Sequence, residues 1–346
     1  MMLTKTGRFT VYLLILLMPV LLYSLELESG RVRLEIDEKS GSFTLVSISE
    51  GQQNPLPLLY SDDPRTTGFS LAINNRIYNL QSSSDFIRET IREPGRIGSI
   101  WTSRQLEIRQ EFRIIRSASS DVNNGIVIQF GLRNISSQNL TVGLRYLLDT
   151  YLGENNGNAH FVTSDNRSIV NETGLSPPFP SYILSSRGQS VSRGLMIMLR
   201  GPGLTPPDSV IFANWKRLNE SGWSYTVSTS RSFTSPPYSI NDSAVALFYN
   251  PAPLQAGEER TIILAMGAYA EGGYRPDSQN ISDRIADMLA EETETGDPAQ
   301  EVALLRELIA EIDQLMESEQ GVPEEKIVLL RQLLAALKER RVEFKD

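Results

Sequence analysis

The chain contains no cysteine and a single histidine, His160, in 346 residues. Disulfides, thiolate zinc sites and cysteine nucleophiles are thereby excluded, and so is any site needing two histidines from one chain. A basic surplus is lacking: 33 Lys and Arg stand against 42 Asp and Glu, for a formal net charge of -9. A broad nucleic-acid footprint needs a surplus of Lys and Arg, so no nucleic-acid partner is expected. No Gly-rich phosphate loop, Ser nucleophile elbow or zinc signature occurs. From residue 25 to about 270 no helical apolar period separates the apolar segments, which argues against βαβ units.

What is present begins with an export signal. Lys5 and Arg8 precede an apolar run from Phe9 to Tyr23, FTVYLLILLMPVLLY. The run has the length of a signal-peptide core and is short for a membrane span, which needs roughly 20 residues. Cleavage after Ser24 is expected, with a retained N-terminal anchor as the alternative and the only route to a membrane. Removing residues 1–24 takes away Lys5 and Arg8 and no acid, so the mature chain is more acidic still. No Cys follows the run, which excludes a lipid-anchored lipoprotein. The expected location is the periplasm or cell surface.

Residues 25–270 alternate apolar and polar positions between turn signals. Val32, Leu34 and Ile36 alternate, Lys39-Ser40-Gly41-Ser42 turns, and Phe43 and Leu45 return. Phe69, Leu71 and Ile73 alternate before Asn74-Asn75 and Ile77–Leu80, a hairpin pattern because Asn tolerates the left-handed conformation. Further strands are expected at 106–114, 126–132, 140–148, 194–199, 209–213, 224–227, 244–249 and 260–268. About a dozen antiparallel strands with one apolar face each predict a large β-sandwich. Arg113, Arg116, Arg133 and Arg145 fall on the polar positions of these strands and are read as a solvated sheet face.

After residue 270 the period changes to three and four. A linker with a short helix is expected over 271–297, and an antiparallel helical hairpin over 298–346. Leu305, Ile309, Ile312 and Met316 form one stripe, and Ile327, Leu330, Leu334 and Leu337 the other. Both stripes are wider than a coiled-coil seam. The hairpin therefore needs a second surface to cover it, on the β-domain or on another protein.

The candidate ligand residues lie in two places. Asp149, Glu154, Asn155 and Asn156, with His160, follow the strongest strand in YLLDTYLGENNGNAHF. Clustered oxygens could ligate calcium, but the spacing is not that of an EF-hand loop. A Gly-rich loop whose side chains hydrogen-bond local backbone is the favoured reading, and no cofactor is expected. Asp149 with Glu154 could form an acid–base pair if both faced a cleft. Trp215, Trp223 and Tyr225, in NWKRLNESGWSY, are the aromatic candidates; they either stack on a sugar or fill one end of the core.

The order of segments also carries a resemblance. VGLRYLLDTYLGENNGNAHF (Val142–Phe161), Ala213-Asn214-Trp215 through Tyr225, and DSAVALFYNP (Asp242–Pro251) resemble a family of uncharacterised, exported bacterial β-sandwich domains. The matching segments span most of residues 125–270. Where that family often has Asn-Asp-Gly, this chain has Asn155-Asn156-Gly157, which loses an acid from any metal site. The resemblance implies a secreted sandwich, akin to large carbohydrate-active β-sandwiches, with no established reaction; the helical tail lies outside it. The expectation is a non-catalytic envelope protein that recognises a protein or a glycan, with the tail as an assembly module. The alternative is a carbohydrate-binding or carbohydrate-active enzyme with a carboxylate and aromatic cleft.

Overall fold

The computed structural model describes residues 24–38, 40–48, 55–93, 95–119, 122–154, 160–187, 194–237 and 239–274, together with 327, 328 and 331. The expected signal segment, most of the linker and most of the hairpin lie outside the described residues. So do Leu305, Ile309, Ile312, Met316, Leu330, Leu334 and Leu337. Ile327 is helical and 37% exposed. The chain divides into two compact units, Met1–Tyr274 and Arg275–Asp346.

The first unit is mainly β. It begins with β1 (Ser24–Ser29), β2 (Val32–Asp37), β3 (Phe43–Ser47) and β4 (Leu56–Pro57). Next come β5 (Gly68–Ile73), β6 (Arg76–Asn79), β7 (Ile87–Glu93), β8 (Arg96–Thr102), β9 (Leu106–Arg116), β10 (Asn123–Asn134) and β11 (Leu140–Thr150). Short strands follow: β12 (Phe161–Thr163), β13 (Ser168–Ile169), β14 (Thr173–Leu175) and β15 (Tyr182–Ser186). The unit closes with β16 (Gly194–Met198), β17 (Ser209–Asn214), helix α1 (Trp215–Ser221), β18 (Ser243–Leu254) and β19 (Glu259–Ala268). All pairings among the described residues are antiparallel, as in the hairpins β2–β3 and β5–β6, where Ile36 faces Phe43 and Ile73 faces Arg76.

Three sheets result. β1 to β4 form a four-stranded sheet in sequence order. A nine-stranded sheet runs β13-β12-β15-β16-β19-β10-β9-β8-β7, and a six-stranded sheet runs β14-β17-β18-β11-β5-β6. The two larger sheets pack their apolar faces together. Tyr146 of β11 meets Phe130 of β10 at 5.6 Å, and Phe69 of β5 meets Phe130 at 4.8 Å and Trp101 at 5.1 Å. Gln110 Nε2 donates to the buried Tyr146 hydroxyl at 3.4 Å, which gives that phenol a partner inside the core. Phe43 of β3 rests on Phe112 at 5.1 Å, so the small sheet adds to the same core. Each such ring or aliphatic side chain contributes roughly 1.5–3 kcal/mol by burial, and a one-residue slip would turn a whole set outward.

Glycine is demanded at several close approaches, Gly98 and Gly125 among them. A Cβ on Gly98 would lie 2.0 Å from the Gln110 carbonyl oxygen, where β8 presses on β9. At Gly125 it would lie 2.7 Å from the Tyr274 ring. Tyr274 sits there because Ser117 bridges to it, Ala118 N–H donates to the Gly273 carbonyl, and its own hydroxyl donates to the Ala268 carbonyl.

Three expectations need correction. Strands are more numerous than about a dozen, because β12 to β14 are two or three residues long and too short to show alternation. Residues 224–227 are not a strand; their polar groups serve a buried carboxylate instead of a ladder, as described below. A helix, α1, does interrupt the strands. Asn214 caps it, accepting from Arg217 N–H at 3.3 Å, and Gly222 ends it at φ 60°.

Candidate functional site

The strongest candidate site lies on the outer face of the six-stranded sheet. Alternation along β11 sends Leu144, Tyr146 and Leu148 into the main core, so Arg145, Leu147 and Asp149 face the other way. Register aligns Asn79, Ser70, Arg145, Phe248 and Ser209 in one row across β6, β5, β11, β18 and β17. The next row carries Gly68, Leu147, Ala246 and Ile211. Helix α1 covers part of this face. Leu218 packs on Leu147, Ala213, Ala244, Ala246 and Phe248, with Trp215, Trp223 and Tyr225 packed around them.

The expectation that Arg145 is solvated is wrong: the residue is 4% exposed. α1, some seventy residues later in the chain, covers it. Its Nη2 donates to the Leu218 carbonyl at 2.5 Å, and its guanidinium lies 5.6 Å from the centre of the Phe248 ring. Its Nε is buried without a hydrogen-bond partner. Burial pulls this group down to about 10. The guanidinium borders a concavity of about 90 Å³ between β5, β6 and the end of α1. Arg65, Thr66, Ser70, Asn79, Gln81 and Asn219 form its polar boundary.

Of the sequence candidates, Trp215, Trp223 and Tyr225 are gathered here, each half-buried. Trp215 Nε1 donates to the Thr66 carbonyl at 2.8 Å, and Trp223 stands edge-on to Phe248 at 5.8 Å. Tyr225 donates to Glu172 at 2.6 Å, and burial beside that carboxylate pushes the phenol up to about 12. Glu172 is fully buried and also takes Ser228 N–H at 3.1 Å, Arg217 at 2.9 Å and Arg231 at 3.6 Å. These contacts lash residues 225–231 to the sheet edge.

The carboxylates collect at the far end of β11. Asp149 is 6% exposed; burial pushes its carboxyl up to about 7, with the Thr66 hydroxyl opposing. Glu154 accepts from Ser243 N–H at 2.9 Å and from Ser243 Oγ at 3.4 Å. Burial pushes it up to about 7 as well, against that backbone hydrogen bond and helped by the charges of Asp242 and Asp149. Burial likewise raises Asp242. Neither Asp149 nor Glu154 is among the described lining residues of the Arg145 concavity. Among the described residues no group of three or more acidic or histidine side chains is placed to hold a metal ion. Asn155 and Asn156 lie outside the described residues.

His160 lies against the same turn: a Cβ on Gly153, the neighbour of Glu154, would stand 2.2 Å from the His160 carbonyl oxygen. Its ring stacks on Phe233 at 4.3 Å, both ring nitrogens are buried without a hydrogen-bond partner, and burial lowers its basicity. A second concavity, about 560 Å³ and open, lies at the other end of β5 beside Arg76, Tyr78, Asp85 and Arg104. Sequence reasoning missed Arg145 and Glu172. An arginine between Leu144 and Tyr146 was visible, but nothing local says that a distant helix covers it.

No protein-family model matches the chain, and no curated protein matches it. Among solved structures, it is similar to a candidate aldose 1-epimerase from Escherichia coli K12, at 9% identity and a TM-score of 0.44 over 72% of this chain and 99% of that one. It is also similar to a galactose mutarotase-like protein from Lactobacillus casei, at 13% identity and a TM-score of 0.36 over 71% and 100%. A third is an alpha-N-acetylgalactosaminidase from Bifidobacterium bifidum, at 9% identity and a TM-score of 0.34 over 77% and 38%. At these identities and scores the likenesses carry no activity over to this chain.

Proposed function

We propose that this chain is an exported, non-catalytic recognition protein that binds a glycan on the outer face of its six-stranded sheet. One observation carries the reading: the concavity beside Arg145 is bounded by side-chain amides, hydroxyls and guanidinium groups together with Phe69, while Trp223 and Tyr225 pack on the same sheet face outside its lining. Small polar donors and acceptors beside aromatic rings are what a sugar, with hydroxyls and apolar CH faces, requires. The N-terminal run directs export to the periplasm or cell surface. The helical stripes after residue 298 act as the module that docks an envelope partner. An array of neutral and acidic glycans, probed with the mature chain, tests this. Selective retention with no release of reducing sugar is the expected result.

A second reading has its own observation. Asp149 and Glu154 are both pushed up to about 7, and paired carboxyls with raised affinity for protons are a mark of acid–base sites. The geometry favours a structural role, since Glu154 is bound to the Ser243 backbone and Asp149 is buried. Release of reducing sugar that disappears in Asp149→Asn would move the assignment to a carbohydrate-active enzyme.

A further inference from the structure

We infer that the Arg145 concavity receives an anionic group, a carboxylate or a sulfate, carried by an acidic saccharide. This rests on the glycan-binding reading and names the class of glycan. A guanidinium taken out of water is costly unless a counter-charge meets it. Arg145 is almost wholly buried, yet among the described residues no carboxylate pairs with it. Its protein partners are one carbonyl oxygen, that of Leu218, and the face of Phe248. Neither neutralises it, and its Nε has no partner. The other arginine at the boundary, Arg65, is already paired with Asp63 at 2.8 Å, so the uncompensated charge is that of Arg145.

The shape agrees with the charge. A space of about 90 Å³ is too small for a protein side of any extent and suits one substituent of a larger ligand. With Nη2 held by the Leu218 carbonyl and Nε buried, Nη1 is the donor left to Arg145, and a charged N–H binds a carboxylate or sulfate oxygen more strongly than a hydroxyl. Asn79, Ser70 and Asn219 supply neutral polar groups around it. No acidic side chain is among the described lining residues, and the Asp63 carboxylate at the boundary is matched by Arg65.

The test compares the full mature chain with Asn219→Asp and Arg145→Gln on an array of uronate-containing, sulfated, sialylated and neutral glycans, with inorganic sulfate as a soluble competitor. Asn219 is exposed, so its near-isosteric replacement by Asp places a negative charge at the boundary without disturbing the core. The expected result is binding to acidic glycans only, weakened about tenfold in Asn219→Asp at low salt and competed by sulfate. Equal binding of neutral and acidic glycans, or acidic binding unchanged in Asn219→Asp, overturns the inference and leaves glycan recognition standing. Absence of any glycan binding overturns both. If Arg145→Gln folds, as judged by near-ultraviolet circular dichroism, and still selects acidic glycans, the inference also falls.

Discussion

Buried charge sets the pH response of single residues. Asp149 and Glu154 hold protons up to about pH 7 because burial disfavours their charged forms. A carboxyl raised on folding stabilises the fold fully below its unfolded value, near 4, and that contribution is lost as pH rises through 7. His160 works in the opposite sense. Its folded value is lowered by burial, so its contribution is present above its unfolded value and lost as pH falls below it. Two strongly shifted carboxyls outweigh one half-buried imidazole, so urea denaturation should find the protein more stable at pH 5.5 than at pH 8.5. Asp149→Asn should remove part of this difference, gaining about 1–2 kcal/mol at pH 8.5 and little at pH 5.5. A variant equally sensitive to pH would mean that Asp149 is ionised in the fold.

At the level of elements, the short connections are fixed by side chains and the long strands by pattern. Residues 225–231 have no ladder, and Glu172 supplies their anchor through Tyr225, Ser228, Arg217 and Arg231. Glu172→Gln should cost about 2 kcal/mol in chemical denaturation, because the partly buried Arg217 loses its counter-charge while the exposed Arg231 can turn to water. Tyr225→Phe, which removes one hydrogen bond, should cost about 1 kcal/mol. Gly98→Ala should destabilise by about 2 kcal/mol or more, since its methyl would meet backbone rather than a movable side chain; a neutral result would show that β8 and β9 can part. The contrast explains what was legible. Alternation at 106–114, 126–132 and 140–148 matches β9, β10 and β11, because each has one face in a common core. Alternation also identifies Arg145 as outward-facing, but not as covered, because α1 reaches it from distant sequence. Residues 224–227 look like a strand because their apolar and polar residues alternate, yet the partner of Tyr225 is a carboxylate, which no strand pattern encodes.

For the whole molecule, the core of the β unit among the described residues is drawn from residues 25–274. Deleting residues 275–346 should therefore leave glycan binding and the thermal unfolding of the β unit unchanged, while abolishing capture of an envelope partner; calorimetry and pull-down from the source envelope read the two separately. Loss of the β transition on deletion would mean that the tail is part of the fold. Where the chain is cut then matters at the scale of a few residues. Tyr274 fills the space over Gly125 and ties back to Ala268 and Ser117. A fragment ending at Ala270 would lack this ring and leave an aromatic-sized hole on the nine-stranded sheet, a fresh sticky surface for a neighbouring copy. One ending just after Tyr274 would keep it plugged, so four residues should separate a monodisperse fragment from a self-associating one, which light scattering on the two fragments would check.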